Sequence, residues 1–435
     1  MLLISRKSYL TGLARIPASK SHTIRAIAIG SLASGQSIIA NPLVSSDTAS
    51  AINAYRLLGA RIDEKNVLTI NGVSGIPIPP DNVIDVGNSG TSLYIAMGTA
   101  ALTDSWTVFT GDDQIRNRPA GPLLDALKDL GVEAFSTRGD GRPPLLIRGP
   151  MKGGKITLDG SKTSQYLTSL LINCPLAQHD TEIQVTDAVE KPYIEMTLGW
   201  LDDMKIKYER EGFDRIFIQG GQSYSPINRT IPGDFSSATF FMCAAAITRS
   251  SIDLYGLDIE DTQGDKGVID VLRQMGVRIE PSINGGIRVT GGEMTGGEFD
   301  LSGMPDALPA LAATACYAEG TTRLVNVSQA RLKETDRISV MCHELTKMGA
   351  IIRELPDGLE VVGSPLQAAM LHGHSDHRIV MALAIAGMGC NDWTQIDTAE
   401  AIDVTFPNFI ELMQSLNAEI GHEMDHFNLY KSQIF

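Results

Sequence analysis

A short pattern returns along this chain at a nearly constant interval, and that repeat restricts the possible folds more than any other feature. LLGARI (57–62), DLGVEA (129–134), QMGVRI (274–279), KMGAII (347–352) and SLNAEI (415–420) each close an apolar, helix-like stretch. Gly59 and Gly131 are 72 residues apart, Gly131 and Gly276 are 145 apart, and Gly276 and Gly349 are 73 apart. The doubled interval predicts a degenerate copy near residue 203, where DDMKIK (202–207) lies, and one sixth of 435 residues is 72.5. A second series, Ser21, Thr91, Thr163, Ser236, Asp306 and Asp376, runs at intervals of 70, 72, 73, 70 and 70. Each member opens an Ala-rich apolar stretch, where a small polar residue suits a helix N-cap or first turn. A β-rich segment follows each stretch, and five strands closing in glycine complete the set: VLTINGV, LLIRGP, IFIQGG, IRVTGG and LEVVGS. Every repeat therefore reads strand, helix, strand, helix, strand pair. The sixth lacks a closing strand of its own. The N-terminal MLLIS is expected to complete it, which would bring both termini into one domain.

A single repeat of this kind cannot bury its apolar faces, so the six must pack together. The first helix of each is apolar nearly all round, as in ATFFMCAAAI, and belongs inside. The expected fold class is α/β (α+β), a two-lobed inside-out α/β barrel of six βαβαββ repeats, three per lobe. The lobes are placed at residues 1–13 plus 232–435 and at 14–231, joined by short hinge-like crossings. Composition is globular, with 43% apolar and 20% charged residues, which excludes disorder. The balance of 36 basic against 51 acidic residues, a net −15, argues against a nucleic-acid or anionic-membrane surface, so an anionic ligand would need a local basic pocket. The longest apolar run, Phe240 to Ile247, is too short to span a bilayer, and MLLISRKSYL does not read as a signal peptide. Five dispersed cysteines without a CxxC read as reduced core residues of a cytoplasmic protein.

The polar residues that carry chemistry sit at the starts of the buried helices. Helix N-termini offer free N–H groups and the positive end of the dipole, and clustered they make an anion site. The chain places there P-A-S-K-S-H-T-I-R (17–25), G-N-S-G-T (87–91), D-G-S-K-T-S-Q (159–165), R-N-R-P (116–119), K-E-T-D-R (333–337) and S-D-H-R (375–378). Singly, each suits a solvated cap. In K-E-T-D-R, however, Lys333 and Arg337 form a like-charge i,i+4 pair at the positive helix end, which costs stability without an anion. Repeated cationic helix starts point to one shared anionic site.

Together P-A-S-K-S-x-x-x-R, G-N-S-G-T, R-P-x-G-x-L-x-D-A-L, S-Q-Y-L-T-S-L-L, K-P-Y, M-P-D-A, K-E-T-D-R and D-H-R closely resemble the 3-phosphoshikimate 1-carboxyvinyltransferase (5-enolpyruvylshikimate-3-phosphate synthase) family, in its order, from Ile16 to about Leu416. That resemblance implies transfer of the enolpyruvyl group of phosphoenolpyruvate to the 5-hydroxyl of shikimate 3-phosphate, in a cleft between two lobes of three repeats. By motif, Lys20, Gly90, Arg118, Arg337 and Arg378 would hold phosphoenolpyruvate. Lys20, Ser21, Arg25, Thr163, Ser164, Gln165, Tyr193, Asp306 and Lys333 would hold shikimate 3-phosphate. Asp306 would take the hydroxyl proton, with Lys20 and Glu334 carrying protons at C3 of phosphoenolpyruvate. The cations Lys20, Arg25, Arg118, Lys333, Arg337 and Arg378 roughly balance two phosphates and two carboxylates, so no metal or cofactor is expected, and the enzyme is expected to be a monomer.

Three positions depart from the family pattern: Tyr94 stands for an arginine, Glu190 for a serine before K-P-Y, and Val404 for a lysine found in some members. An acid beside a phosphate repels it, so Glu190 is expected to turn away, to pair with Lys191 or Arg25, or to mark a different acceptor. The competing readings are an enolpyruvyl transferase for another phosphorylated alcohol or nucleotide and a noncatalytic anion-binding paralogue. H-E-M-D-H (422–426) fits a zinc-protease pattern but follows a glycine and leaves only nine residues for a third ligand. H-G-H-S-D-H (372–377) has no other ligand at suitable spacing. G-P-M-K-G-G-K-I (149–156) mimics a P-loop but carries Ile156 in place of the magnesium-binding hydroxyl.

Overall fold

The computed structural model describes residues 1–65, 67–283 and 286–422. Its helices in chain order are α1 (Lys20–Leu32), α2 (Ser46–Leu57), α3 (Gly90–Ala100), α4 (Gly121–Asp129), α5 (Gln165–Asn173), α6 (Lys191–Asp203), α7 (Phe235–Ile247), α8 (Val268–Gln274), α9 (Leu308–Ala315), α10 (Arg337–Lys347), α11 (His377–Gly387) and α12 (Phe409–Ser415). They alternate with strands that form six four-stranded sheets among the described residues, one per repeat. In each sheet a parallel pair is followed by two antiparallel strands, as in Gly154–Asp159, Thr181–Thr186, Arg215–Ile218 and Tyr208–Glu211.

The recurring motif has a single physical cause. The second helix of every repeat ends on a left-handed residue: Gly59, Gly131, Lys205, Gly276, Gly349 and Asn417, with φ between 58° and 105°. All six make the same pair of closing hydrogen bonds. The residue after the left-handed one donates to the carbonyl five back (Ala60 to Tyr55, Val132 to Leu127, Ile206 to Leu201, Val277 to Leu272, Ala350 to Leu345, Ala418 to Met413), at 2.9–3.1 Å. This is the Schellman arrangement, and glycine dominates because it adopts positive φ without a Cβ clash. Lys205 marks the degenerate third copy.

Two compact domains result, each around its own core. The internal domain is Ala18–Pro232; the terminal domain is Met1–Pro17 with the chain from Gly233 on. In the internal domain α3 packs on α1 and α5, and in the terminal domain α7, α9 and α11 pack on one another. Every residue of α7 and of α11 is buried. The strands show one wet face, as in Gln36–Ala40, where buried and exposed residues alternate. Helices are thus inside and sheets outside.

Leu3–Ser5 lies between Thr394–Ile396 and Ile420–His422 and fills the closing-strand position of the sixth repeat. Two other strands are exchanged along the sequence. Thr11–Arg15 is the leading parallel strand of the fourth repeat, beside Ser251–Tyr255. Asn228–Thr230 leads the first, beside Gln36–Ala40. Among the described residues no helix is long and apolar enough to cross a membrane. All five cysteines are free, and burial pushes the Cys174, Cys243 and Cys316 thiols up to about 12.

Candidate active site

In the internal domain the candidate residues gather at the starts of α1, α3, α5 and α6. Lys20 is the first residue of α1, whose start is capped by the Ser19 hydroxyl. Its Nζ lies 3.1 Å from Oδ2 of Asp47, a buried acid in the first turn of α2. Asp47 was not among the sequence candidates, although S-S-D-T at 45–48 forms a capping box with Ser45 and Thr48.

Gly90 opens α3. A Cβ there would come within 2.8 Å of the Arg118 guanidinium, so only glycine lets Arg118 lie against this helix start. Arg118 follows a turn of 3-10 helix (Ile115–Asn117) and is 7% exposed. The next carbonyl, Pro119, accepts hydrogen bonds from Tyr94 (2.8 Å) and Tyr166 (2.6 Å), whose rings meet edge-on with centroids 5.0 Å apart. Tyr94 therefore braces the Arg118 segment. Burial pushes its phenol up to about 12, with the Arg118 charge opposing.

Arg25 is a binding candidate with its donors largely committed. Its Nε donates to Thr197 (3.0 Å), Nη1 to the Ser21 carbonyl (3.1 Å), and Nη2 to Thr168 (3.2 Å) and the Tyr193 carbonyl (3.1 Å). It ties α1, α5 and α6 together, and burial lowers its pKa to about 10. Thr163 and Ser164 precede α5 and Gln165 begins it, while Tyr193 sits in the first turn of α6. Glu190 is turned in toward Ser164 rather than away.

The terminal domain carries the other candidates. Arg337, the first residue of α10, is 1% exposed and surrounded by three carboxylates. Nε and Nη2 hold both oxygens of Asp376 (2.9 and 3.1 Å), Nη1 holds Asp306 (2.8 Å), and Nη2 also reaches Glu334 (2.5 Å). Arg378, second in α11, lies 3.1 Å from the other oxygen of Asp306. Asp376 caps α11 and accepts from Thr335 at 3.0 Å. Burial alone would raise its carboxyl, but Arg337 holds it below the ordinary carboxylate value. Lys333 and Glu334 lie between a turn of 3-10 helix (Ser328–Leu332) and α10. Counting only cations missed this balance: the cationic helix starts of this domain come with their own acids. Asp376 was legible as a cap but not as a partner of Arg337, 39 residues away.

Of H-G-H-S-D-H, Asp376 belongs to the Arg337 cluster, whereas the first two histidines pair elsewhere. His372 pairs with Asp397 (2.6 Å) and His374 with the buried Glu344 (3.1 Å). Of H-E-M-D-H only His422 is described, and Glu423 to His426 lie outside the described residues. Val404 ends a 3-10 helix (Ala399–Val404).

Six βαβαββ repeats with cations and carboxylates at their helix starts define an anion-handling α/β protein of the enolpyruvyl-transferase type. The family model for EPSP synthase (3-phosphoshikimate 1-carboxyvinyltransferase) matches residues 4–413. The chain is 53% identical over 421 residues to a 3-phosphoshikimate 1-carboxyvinyltransferase of Ruminiclostridium cellulolyticum, covering 97% of this chain and 99% of that one. It is 52% identical over 423 residues to the protein of the same name from Acetivibrio thermocellus, with the same coverage. An EPSP synthase structure from Acinetobacter baumannii matches with a TM-score of 0.82 at 28% identity, over 97% of this chain and 99% of that chain. The chain belongs to the EPSP synthase family.

Proposed function

We propose that this enzyme transfers the enolpyruvyl group of phosphoenolpyruvate to the 5-hydroxyl of shikimate 3-phosphate, releasing phosphate. The observation that carries this reading is the buried cluster in which Arg337 and Arg378 hold Asp306 between them, with Glu334 on the same guanidinium. An acceptor hydroxyl needs a base, a proton must reach C3, and a carboxylate and a phosphate need cations. This cluster supplies each residue type within one set of hydrogen bonds.

In this reading Lys20, Gly90, Arg118, Arg337 and Arg378 hold phosphoenolpyruvate. Lys20, Ser21, Arg25, Thr163, Ser164, Gln165, Tyr193, Asp306 and Lys333 hold shikimate 3-phosphate. Protonation at C3 by Lys20 or Glu334 makes C2 cationic, the hydroxyl adds as Asp306 takes its proton, and loss of phosphate from C2 of the tetrahedral ketal together with a C3 proton, returned to Lys20 or Glu334, gives the enol ether. Arg25 acts largely by fixing the starts of α5 and α6, since four of its hydrogen bonds are internal. The candidates divide between the two domains, with Lys20, Arg25 and Arg118 in the internal one and Lys333, Arg337 and Arg378 in the terminal one.

The test is product analysis. Incubation with phosphoenolpyruvate and shikimate 3-phosphate should yield 5-enolpyruvylshikimate 3-phosphate by mass spectrometry. Turnover with a different phosphorylated alcohol, and none with shikimate 3-phosphate, would reassign the acceptor.

A further inference from the structure

Glu190 stands where it should hinder an anion, and the hydrogen bonds show how. It is 3% exposed and holds a left-handed conformation (φ 52°) directly before α6. One carboxylate oxygen, Oε2, accepts from the Ser164 backbone N–H (3.1 Å), the Ser164 hydroxyl (2.7 Å) and the Thr163 hydroxyl (3.4 Å). Three donors at the start of α5 thus converge on an anion that belongs to the chain itself. Thr163 and Ser164 are also the residues assigned above to the acceptor, so this inference rests on that reading for the acceptor's identity. Each of these N–H and O–H groups has one hydrogen to give. A phosphate and the Glu190 carboxylate cannot both hold them, and the two anions repel at contact distance.

We propose that Glu190 sets the affinity for the acceptor by occupying its phosphate's donors, so that the acceptor binds by displacing this carboxylate. The product keeps the same phosphate and meets the same competitor. Glu190 therefore weakens substrate and product alike, which raises the acceptor's KM and speeds product release. Phosphoenolpyruvate, assigned to other residues, is not affected. The advantage of a phosphorylated over an unphosphorylated acceptor is correspondingly smaller than the donors alone would give.

The experiment compares the full-length enzyme with Glu190→Gln, which keeps an oxygen for the same donors and removes the charge, and with Glu190→Ser, which frees the donors. Thermal unfolding verifies that both are folded, and calorimetry measures binding. Shikimate 3-phosphate and the enolpyruvyl product should each bind ~10-fold or more tightly in both variants, the size of one uncontested charge-assisted hydrogen bond. The ratio of acceptor KM to phosphoenolpyruvate KM should fall by the same factor. Preference over unphosphorylated shikimate should widen equally. Unchanged or weaker acceptor binding in both folded variants overturns the proposal, because Glu190 would then be a cap or an ordinary ligand. If the parent enzyme neither binds nor turns over shikimate 3-phosphate, the assigned reaction fails instead. Inorganic phosphate then decides separately: tighter binding in Glu190→Gln upholds the displaced carboxylate, and equal binding rejects it.

Discussion

His377, the first residue of α11, is 2% exposed, and its Nε2 has no hydrogen-bond partner among the described residues. Burial pushes its pKa from 6.5 down to about 3, with the Glu334 and Asp376 charges opposing and those of Arg378 and Arg337 assisting. The folded protein therefore keeps this imidazole neutral where the unfolded chain takes up a proton. The folded value lies below the unfolded one, so its contribution is complete above pH ~6.5 and is lost as pH falls toward ~3. The gap between 6.5 and about 3 corresponds to roughly 5 kcal/mol, of which about 2–3 kcal/mol is gone by pH ~4.5. His377→Gln fills the position with a group that does not titrate. Urea unfolding followed by circular dichroism, at several values between pH ~7.5 and ~4.5, gives the comparison. The parent should lose about 2–3 kcal/mol more than the variant across this range. Other acid-sensitive groups are common to both proteins and cancel. Parallel stability profiles would refute a buried neutral His377.

Three further outcomes follow from the same geometry. Asp306→Asn and Glu334→Gln should each lower turnover by ~10²-fold or more with smaller effects on substrate binding, as single-turnover kinetics would report; near-normal turnover in both would remove their proton-transfer roles. Arg118→Ala, Arg337→Ala and Arg378→Ala should each weaken phosphoenolpyruvate by about 1.5–3 kcal/mol per lost charge-assisted hydrogen bond in calorimetry, and unchanged affinity in all three would misplace the pocket. Tyr94→Phe combined with Tyr166→Phe frees the Pro119 carbonyl and should raise the KM of phosphoenolpyruvate several-fold more than that of the acceptor, through the braced Arg118; equal effects on both would mean general loosening.

The repeat was legible because its punctuation is local. A positive-φ residue after each second helix and a small polar residue near each first helix are written into a few adjacent positions. Even the Lys205 copy could be located from spacing alone. The exchanged strands were not legible. Thr11–Arg15 has one buried residue and Asn228–Thr230 none, so neither carries an alternation, and a parallel partner more than 180 residues away leaves no local mark. The cations at the helix starts could be read from their motifs, but what they touch could not. Asp47 under Lys20, and Asp376 under Arg337, are pairings that only the packing of separate helices creates. Tyr94 was visible as a departure. Its use emerged only once Tyr166, 72 residues further on and at the equivalent place in the next repeat, was seen to share the Pro119 carbonyl with it. Glu190 illustrates the same limit: repulsion from an anion could be argued from charge, whereas its hold on the Ser164 donors required coordinates.

Phosphate release from phosphoenolpyruvate, followed continuously with and without shikimate 3-phosphate, tests the assigned reaction most directly. The account predicts release only when both are present, with one phosphate formed for each enol ether and no added metal needed. Release of phosphate without shikimate 3-phosphate, or none with it, would contradict enolpyruvyl transfer to this acceptor.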